Sequence, residues 1–122
     1  TDTADDANHS LTGENDPFGY DHCFLTRTED EKKLVRFGKI RSEKSGISME
    51  IFTNQRGVHV YTGNFLAGIK GKGGVTHKRH DGVCFETERY PDAVNESNFP
   101  SCILRPGEQY WHKTVLKLKA EN

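Results

Sequence analysis

At 122 residues the chain is long enough for one ordinary domain and too short for two with separate cores. Apolar residues make up 33% and charged residues 29%, yet twelve glycines, seven phenylalanines and four tyrosines argue for a strand-rich folded chain rather than a disordered polyampholyte. Seventeen basic and eighteen acidic residues leave a net charge of −1, so no overall field draws the chain to nucleic acid or an anionic membrane, and a neutral partner fits better.

Residues 1–17, TDTADDANHSLTGENDP, carry only Leu11 as a sizeable apolar group and read as a polar tail or linker. From Tyr20 onward short period-two runs alternate with glycine and charge clusters, the pattern of antiparallel strands. Strands are expected near 22–27, 34–41, 47–53, 57–62, 83–87, 101–104 and 109–119, with no helix. Glu43-Lys44-Ser45-Gly46 and Asn54-Gln55-Arg56-Gly57 have the chemistry of hairpin loops, so the three strands from 34 to 62 are expected to form a meander. Residues 63–82 hold six glycines with Lys70, Lys72, Lys78 and Arg79, a loop too long for a mere connection. Residues 88–100, bracketed by Pro91 and Pro100, are expected to pack over the sheet as a fixed loop.

Three cysteines, Cys23, Cys84 and Cys102, are too few and too odd in number for a disulfide framework and suggest a reducing compartment. No apolar run approaches the roughly 20 residues that span a bilayer, and no signal-peptide pattern opens the chain, so no membrane association and a cytoplasmic location are expected. The polar opening at Thr1 suggests a piece of something longer.

Several residues carry chemistry. In Val83-Cys84-Phe85-Glu86-Thr87 alternation sets Cys84 and Glu86 on one face, aiming a carboxylate off an apolar strand. Spacing alone favours a solvent-facing or salt-bridged Glu86; the alternative is a general base in a concave sheet face. Asp21, beside His22, is either a turn residue or an acceptor for sugar hydroxyls. His59 and Tyr61 share one strand face and are either packed side chains or the lining of a pocket with Glu86.

Gly68-Ile69-Lys70-Gly71-Lys72-Gly73-Gly74 lacks the Ser or Thr and the helix of a phosphate loop. His77-Lys78-Arg79-His80 alternate in direction and read as a solvated basic loop, with no metal site. Cys84 has no neighbouring cation to activate it and reads as packing.

Phe18-Gly19-Tyr20-Asp21-His22, Val58-His59-Val60-Tyr61-Thr62-Gly63-Asn64-Phe65-Leu66 and Ile69-Lys70-Gly71-Lys72-Gly73-Gly74 resemble successive landmarks of the aldose 1-epimerase family. The block from Val83 to Asn95, then Asn98-Phe99-Pro100 and Leu104-Arg105-Pro106-Gly107-Glu108-Gln109-Tyr110, continues the resemblance, which covers about residues 18–119.

That resemblance implies an all-β chain, an antiparallel β-sandwich present here as a partial one, with residues 18–122 its C-terminal portion. It implies interconversion of the α and β anomers of aldohexoses such as galactose and glucose, with neither metal nor organic cofactor. A small-molecule aldohexose is the implied partner. Glu86 falls on the family's general base and Asp21 on its substrate-binding aspartate. His59 stands where many members carry a sugar-contacting glutamine, and with Asp21 it is expected to bind the substrate. The family's two active-site histidines and a sugar-binding arginine belong to an upstream region outside these 122 residues, and none of His9, His22, His77, His80 or His112 sits in the motif that supplies the acid. The isolated chain is therefore expected to have little or no turnover. The alternatives are a non-catalytic carbohydrate-binding fragment and a truncated chain whose strand edges recruit a partner.

Overall fold

A computed structural model describes residues 19–120. The sequence expectations for residues 1–17 lie outside the described residues. The secondary structure is all-β: β1 (Asp21–Leu25), β2 (Val35–Arg41), β3 (Ile47–Thr53), β4 (Gly57–Tyr61), β5 (Cys84–Glu88) and β6 (Thr114–Ala120), with one 3-10 turn at Lys72–Gly74. The strands form two three-stranded sheets, ordered β1-β4-β5 and β2-β3-β6. By contact density the described residues fall into two compact units, residues 19–24 with 59–86 and residues 25–58 with 87–120.

In the second sheet β2 and β3 form a hairpin whose turn is closed by Ser42 N–H to Ile47 O at 2.9 Å and Gly46 N–H to Ser42 O at 2.9 Å. Gly46 has φ 68, a left-handed conformation that glycine adopts without the steric cost of a Cβ. The far edge of β3 pairs antiparallel with β6, from Ile47 opposite Ala120 to Thr53 opposite Thr114. Register therefore sorts the side chains. Ile40, Met49 and Leu118 make one apolar row and Ile51 and Leu116 the next, while Lys39, Glu50 and Lys117 lie in a row on the opposite face. A bulge between Arg36 and Gly38 brings Arg36 onto the charged face, opposite Phe52.

The expected meander across residues 34–62 does not form. β4 leaves β2 and β3 and pairs within the other sheet. The reason is Asn54, 1% exposed, whose side chain is committed to groups far along the chain. Its Nδ2 donates to Glu31 O at 2.6 Å and Trp111 O at 3.1 Å, and its Oδ1 accepts from Lys113 N–H at 2.8 Å. Asn54 N–H also donates to Lys113 O. These bonds satisfy part-buried backbone groups at the point where the chain changes sheets. Gln55, also buried, continues the cluster by donating to Asn54 Oδ1 and accepting from the Tyr110 hydroxyl.

Two other expectations are corrected. Residues 101–104 form no strand, and the last strand begins at Thr114 rather than at 109. Residues 105–108 form a turn, with Gly107 at φ 87 and Arg105 N–H held by Glu108 Oε2, so the chain between β5 and β6 stays irregular. The loop expected at 88–100 begins after Glu88, the last residue of β5, and residues 89–100 are built from successive turns, buried at Ala93, with Tyr90 and Phe99 in edge-to-face contact at 5.2 Å.

Candidate functional site

β1 and β4 run antiparallel: Thr62 N–H donates to Tyr20 O at one end and Thr26 N–H to Arg56 O at the other. This register sets Asp21, on β1, and His59 and Tyr61, on β4, on the same face. Asp21 and His59, 38 residues apart, meet there with Nε2 2.8 Å from Oδ1. A carboxylate at neutral pH only accepts, so the imidazole nitrogen is the donor and His59 carries its proton on Nε2. The His59 side chain is 26% exposed and that of Asp21 50%, so the pair is open to a ligand.

The main chain at Asp21 is equally constrained. Asp21 N–H donates to His22 Nδ1 at 2.9 Å. Tyr20 N–H donates to Thr62 Oγ1 at 2.9 Å, and Tyr20 O accepts from Asn64 Nδ2 at 2.9 Å. Thr62 and Asn64 are joined by a 2.8 Å hydrogen bond, and Asn64 is only 1% exposed. Gly19 lies against this clamp: a Cβ there would stand 2.2 Å from Asn64 Oδ1 and 2.3 Å from Thr62 Oγ1, so no larger residue fits. His80, read from sequence as part of a solvated basic loop, is exposed as expected and is also anchored, with Nδ1 2.8 Å from Thr62 O and its backbone N–H on Gly63 O. Sequence reasoning missed Gly19, Thr62, Asn64 and His80 as supports of Asp21; the available signal was a Thr-Gly-Asn run ending a strand, with a glycine where the chain tightens.

Glu86 projects from β5 into solvent, and Cys84, read from sequence as packing, is likewise exposed on the same strand face, while Phe85 is half-buried. β5 belongs to the sheet that carries Asp21 and His59. Tyr61 is committed to the loop that follows it: its hydroxyl accepts Phe65 N–H at 2.9 Å and its ring stacks on Phe65 at 6.5 Å.

The glycine-rich loop is a small folded excursion rather than a phosphate cradle. Lys70 bridges Thr76, His77 N–H donates to Ile69 O, and Gly71 N–H donates to Val75 O. A Cβ at Gly71 would lie 2.3 Å from His77 Nε2, so a larger residue there would displace the imidazole. Among the described residues no group of three or more His, Cys, Asp or Glu is placed to hold a metal ion. Nor is any helix of the described residues long and apolar enough to cross a membrane.

A pocket of about 370 Å³, separate in its lining from these residues, is bounded by Thr87, Glu88, Arg89, Cys102, Leu104, Tyr110 and His112. Its polar groups bind one another. His112 Nε2 is 2.8 Å from Thr87 Oγ1, its Nδ1 is 3.2 Å from the Tyr110 hydroxyl, and the Arg89 guanidinium lies 5.1 Å from the Tyr110 ring centroid while pairing with Glu31 at 3.3 Å. Asp21, His59 and Glu86 do not line it.

Comparison with known proteins bears on these residues. The sequence profile described as aldose 1-epimerase matches residues 1–117. Galactose mutarotase of Mus musculus is 46% identical over 100 residues, covering 81% of this chain and 29% of that protein. Galactose mutarotase of Homo sapiens is 45% identical over the same shares, and aldose 1-epimerase of Escherichia coli (strain K12) is 32% identical over 84% of this chain and 30% of its own length. The chain thus spans about 30% of the length of the curated relatives it matches. With the profile matching almost from end to end, this chain belongs to the aldose 1-epimerase family.

Proposed function

We propose that this chain supplies the general base and part of the sugar-binding surface of an aldose 1-epimerase acting on aldohexoses such as galactose and glucose. Residues 18–122 would be the C-terminal portion of the enzyme's β-sandwich, residues 1–17 a polar connection, and the cytosol the place of action.

In this reading Glu86 takes the proton of the anomeric hydroxyl. The electrons of that O–H bond form the C1 carbonyl, the bond from C1 to the ring oxygen breaks, and the ring oxygen takes a proton from an acid. Rotation about C1–C2 and closure on the other carbonyl face give the opposite anomer, with Glu86 returning the proton. Asp21 accepts a sugar hydroxyl and His59 lies beside it. The acid is assigned to a histidine of the upstream region that the family's members carry.

The observation that carries the reading is the Asp21–His59 pair at 2.8 Å in the same sheet as a solvent-facing Glu86. A sugar-contacting surface without catalysis is the second reading, favoured by the exposure of Glu86 in this chain. Polarimetry of fresh α-galactose with the complete enzyme and its Glu86→Gln variant separates them. Catalysis by Glu86 requires a large loss in the variant, and unchanged conversion would leave only the binding reading.

A further inference from the structure

We infer that His59 is a positioning residue for Asp21, fixing the carboxylate so that one oxygen is held by the protein and the other is presented to a sugar hydroxyl. The inference rests on the proposed sugar-binding role of Asp21 and adds to it a division of labour between the two residues.

An aspartate on a strand has two rotatable side-chain bonds, and an exposed one samples several orientations. A hydroxyl donor is recognised strongly only by an acceptor already pointing at it, because the ordering is otherwise subtracted from the binding energy. Here the backbone of Asp21 is immobilised from both sides, by His22 on its own N–H and by Thr62 and Asn64 on Tyr20. None of these contacts fixes the carboxylate. His59 does, through Nε2–H to Oδ1 at 2.8 Å, from a neighbouring strand whose ring is three-quarters covered. With Oδ1 committed, Oδ2 is the oxygen left to the ligand.

The arrangement also fixes the chemistry of His59. With Nε2 donating to Oδ1, that nitrogen is committed within the protein, so the residue cannot offer the ligand the donor and acceptor pair of a primary amide. His59 therefore acts mainly through Asp21 rather than as a second, independent sugar ligand.

Two measurements test this. In the complete enzyme, long-range ¹H–¹⁵N spectra of the imidazoles should show His59 in its Nε2–H form at neutral pH, and Asp21→Ala should change that signal; an unchanged His59 signal would overturn the pairing. In the complete enzyme, His59→Ala should raise KM for galactose about tenfold while changing kcat much less, the scale expected for losing one charge-assisted hydrogen bond. His59→Gln, which keeps a side-chain N–H donor, should recover at least about threefold of that loss. In an Asp21→Ala background His59→Ala should add nothing, since its route of action is gone. Equal, additive losses in both backgrounds would make His59 an independent ligand and overturn the inference. If the spectra show the pairing but no Asp21 or His59 variant alters KM, the sugar-binding reading of Asp21 fails while the pairing stands.

Discussion

Asn54 and Lys113 are 59 positions apart, yet each donates its backbone N–H to the other: Asn54 N–H to Lys113 O at 3.2 Å, and Lys113 N–H to Asn54 Oδ1 at 2.8 Å. The pair closes the end of the β3–β6 ladder and sends the chain out of that sheet towards β4. Replacing Asn54, itself 1% exposed, by Ala would leave Lys113 N–H and the Glu31 carbonyl without their side-chain partner and Trp111 O with only Gln55 Nε2 at 3.5 Å. We expect a loss of about 3 kcal/mol, at the upper end for buried groups left unsatisfied. Urea denaturation of the complete enzyme checks it, and a loss below about 0.5 kcal/mol would mean that water replaces the side chain.

Glu86→Gln in the complete enzyme should lower kcat at least ~100-fold, the lower end for acid–base catalysis, because the amide keeps the shape but not the basicity. Polarimetry reads the result. Near-normal turnover would remove Glu86 from the mechanism.

Asp21→Ala should lower kcat/KM by ~10-fold or more while the strand stays paired, since Thr62 and Asn64 hold the adjacent main chain without using the carboxylate. A folded variant with unchanged kcat/KM would reduce Asp21 to a structural residue.

The chain alone should self-associate or fold marginally, and should lack mutarotase activity. Ile47, Leu116 and Leu118, on the apolar face of β2-β3-β6, are 53%, 51% and 68% exposed, an arrangement that invites a covering partner. Size-exclusion chromatography and mutarotation at neutral pH test both halves. A stable, active monomer would require an acid within these residues.

Glu50 offers a pH test. The Arg36 guanidinium, hydrogen-bonded to it at 2.8 Å, holds its carboxyl below the ordinary glutamate range, with Lys119 and Lys39 acting in the same direction. A depressed folded value means stabilisation that is complete above the unfolded value of about 4.3 and is lost as pH falls through the folded one. The stability difference between the complete enzyme and its Arg36→Ala variant should therefore shrink between about pH 6 and pH 3. A difference independent of pH would show that Arg36 acts by packing alone.

Local pattern made β1 to β5 legible within a residue or two, because alternation and glycine turns are short-range signals. It could not place β4, since the hydrogen bonds that divert the chain at Asn54 come from Trp111 and Lys113. The site divided in the same way. Glu86 was visible as a carboxylate aimed off an apolar strand, whereas the Asp21–His59 pair depends on a cross-strand register that no window of sequence contains. Asp21 had been weighed with its neighbour His22, yet only the main chain of Asp21 is bonded to that imidazole.

The bulge in β2 sets what that strand can tolerate. Strict alternation would send Arg36 to the face opposite Lys39 and Arg41, away from Glu50; the extra residue at Phe37 resets the phase, so cations three and five positions apart reach the same carboxylate-bearing face. The strand thus carries two reading frames joined at one residue. Removing Phe37 would shorten it without disturbing which residues meet Glu50, whereas inserting a residue after Gly38 would turn either half of the strand inside out relative to its partner.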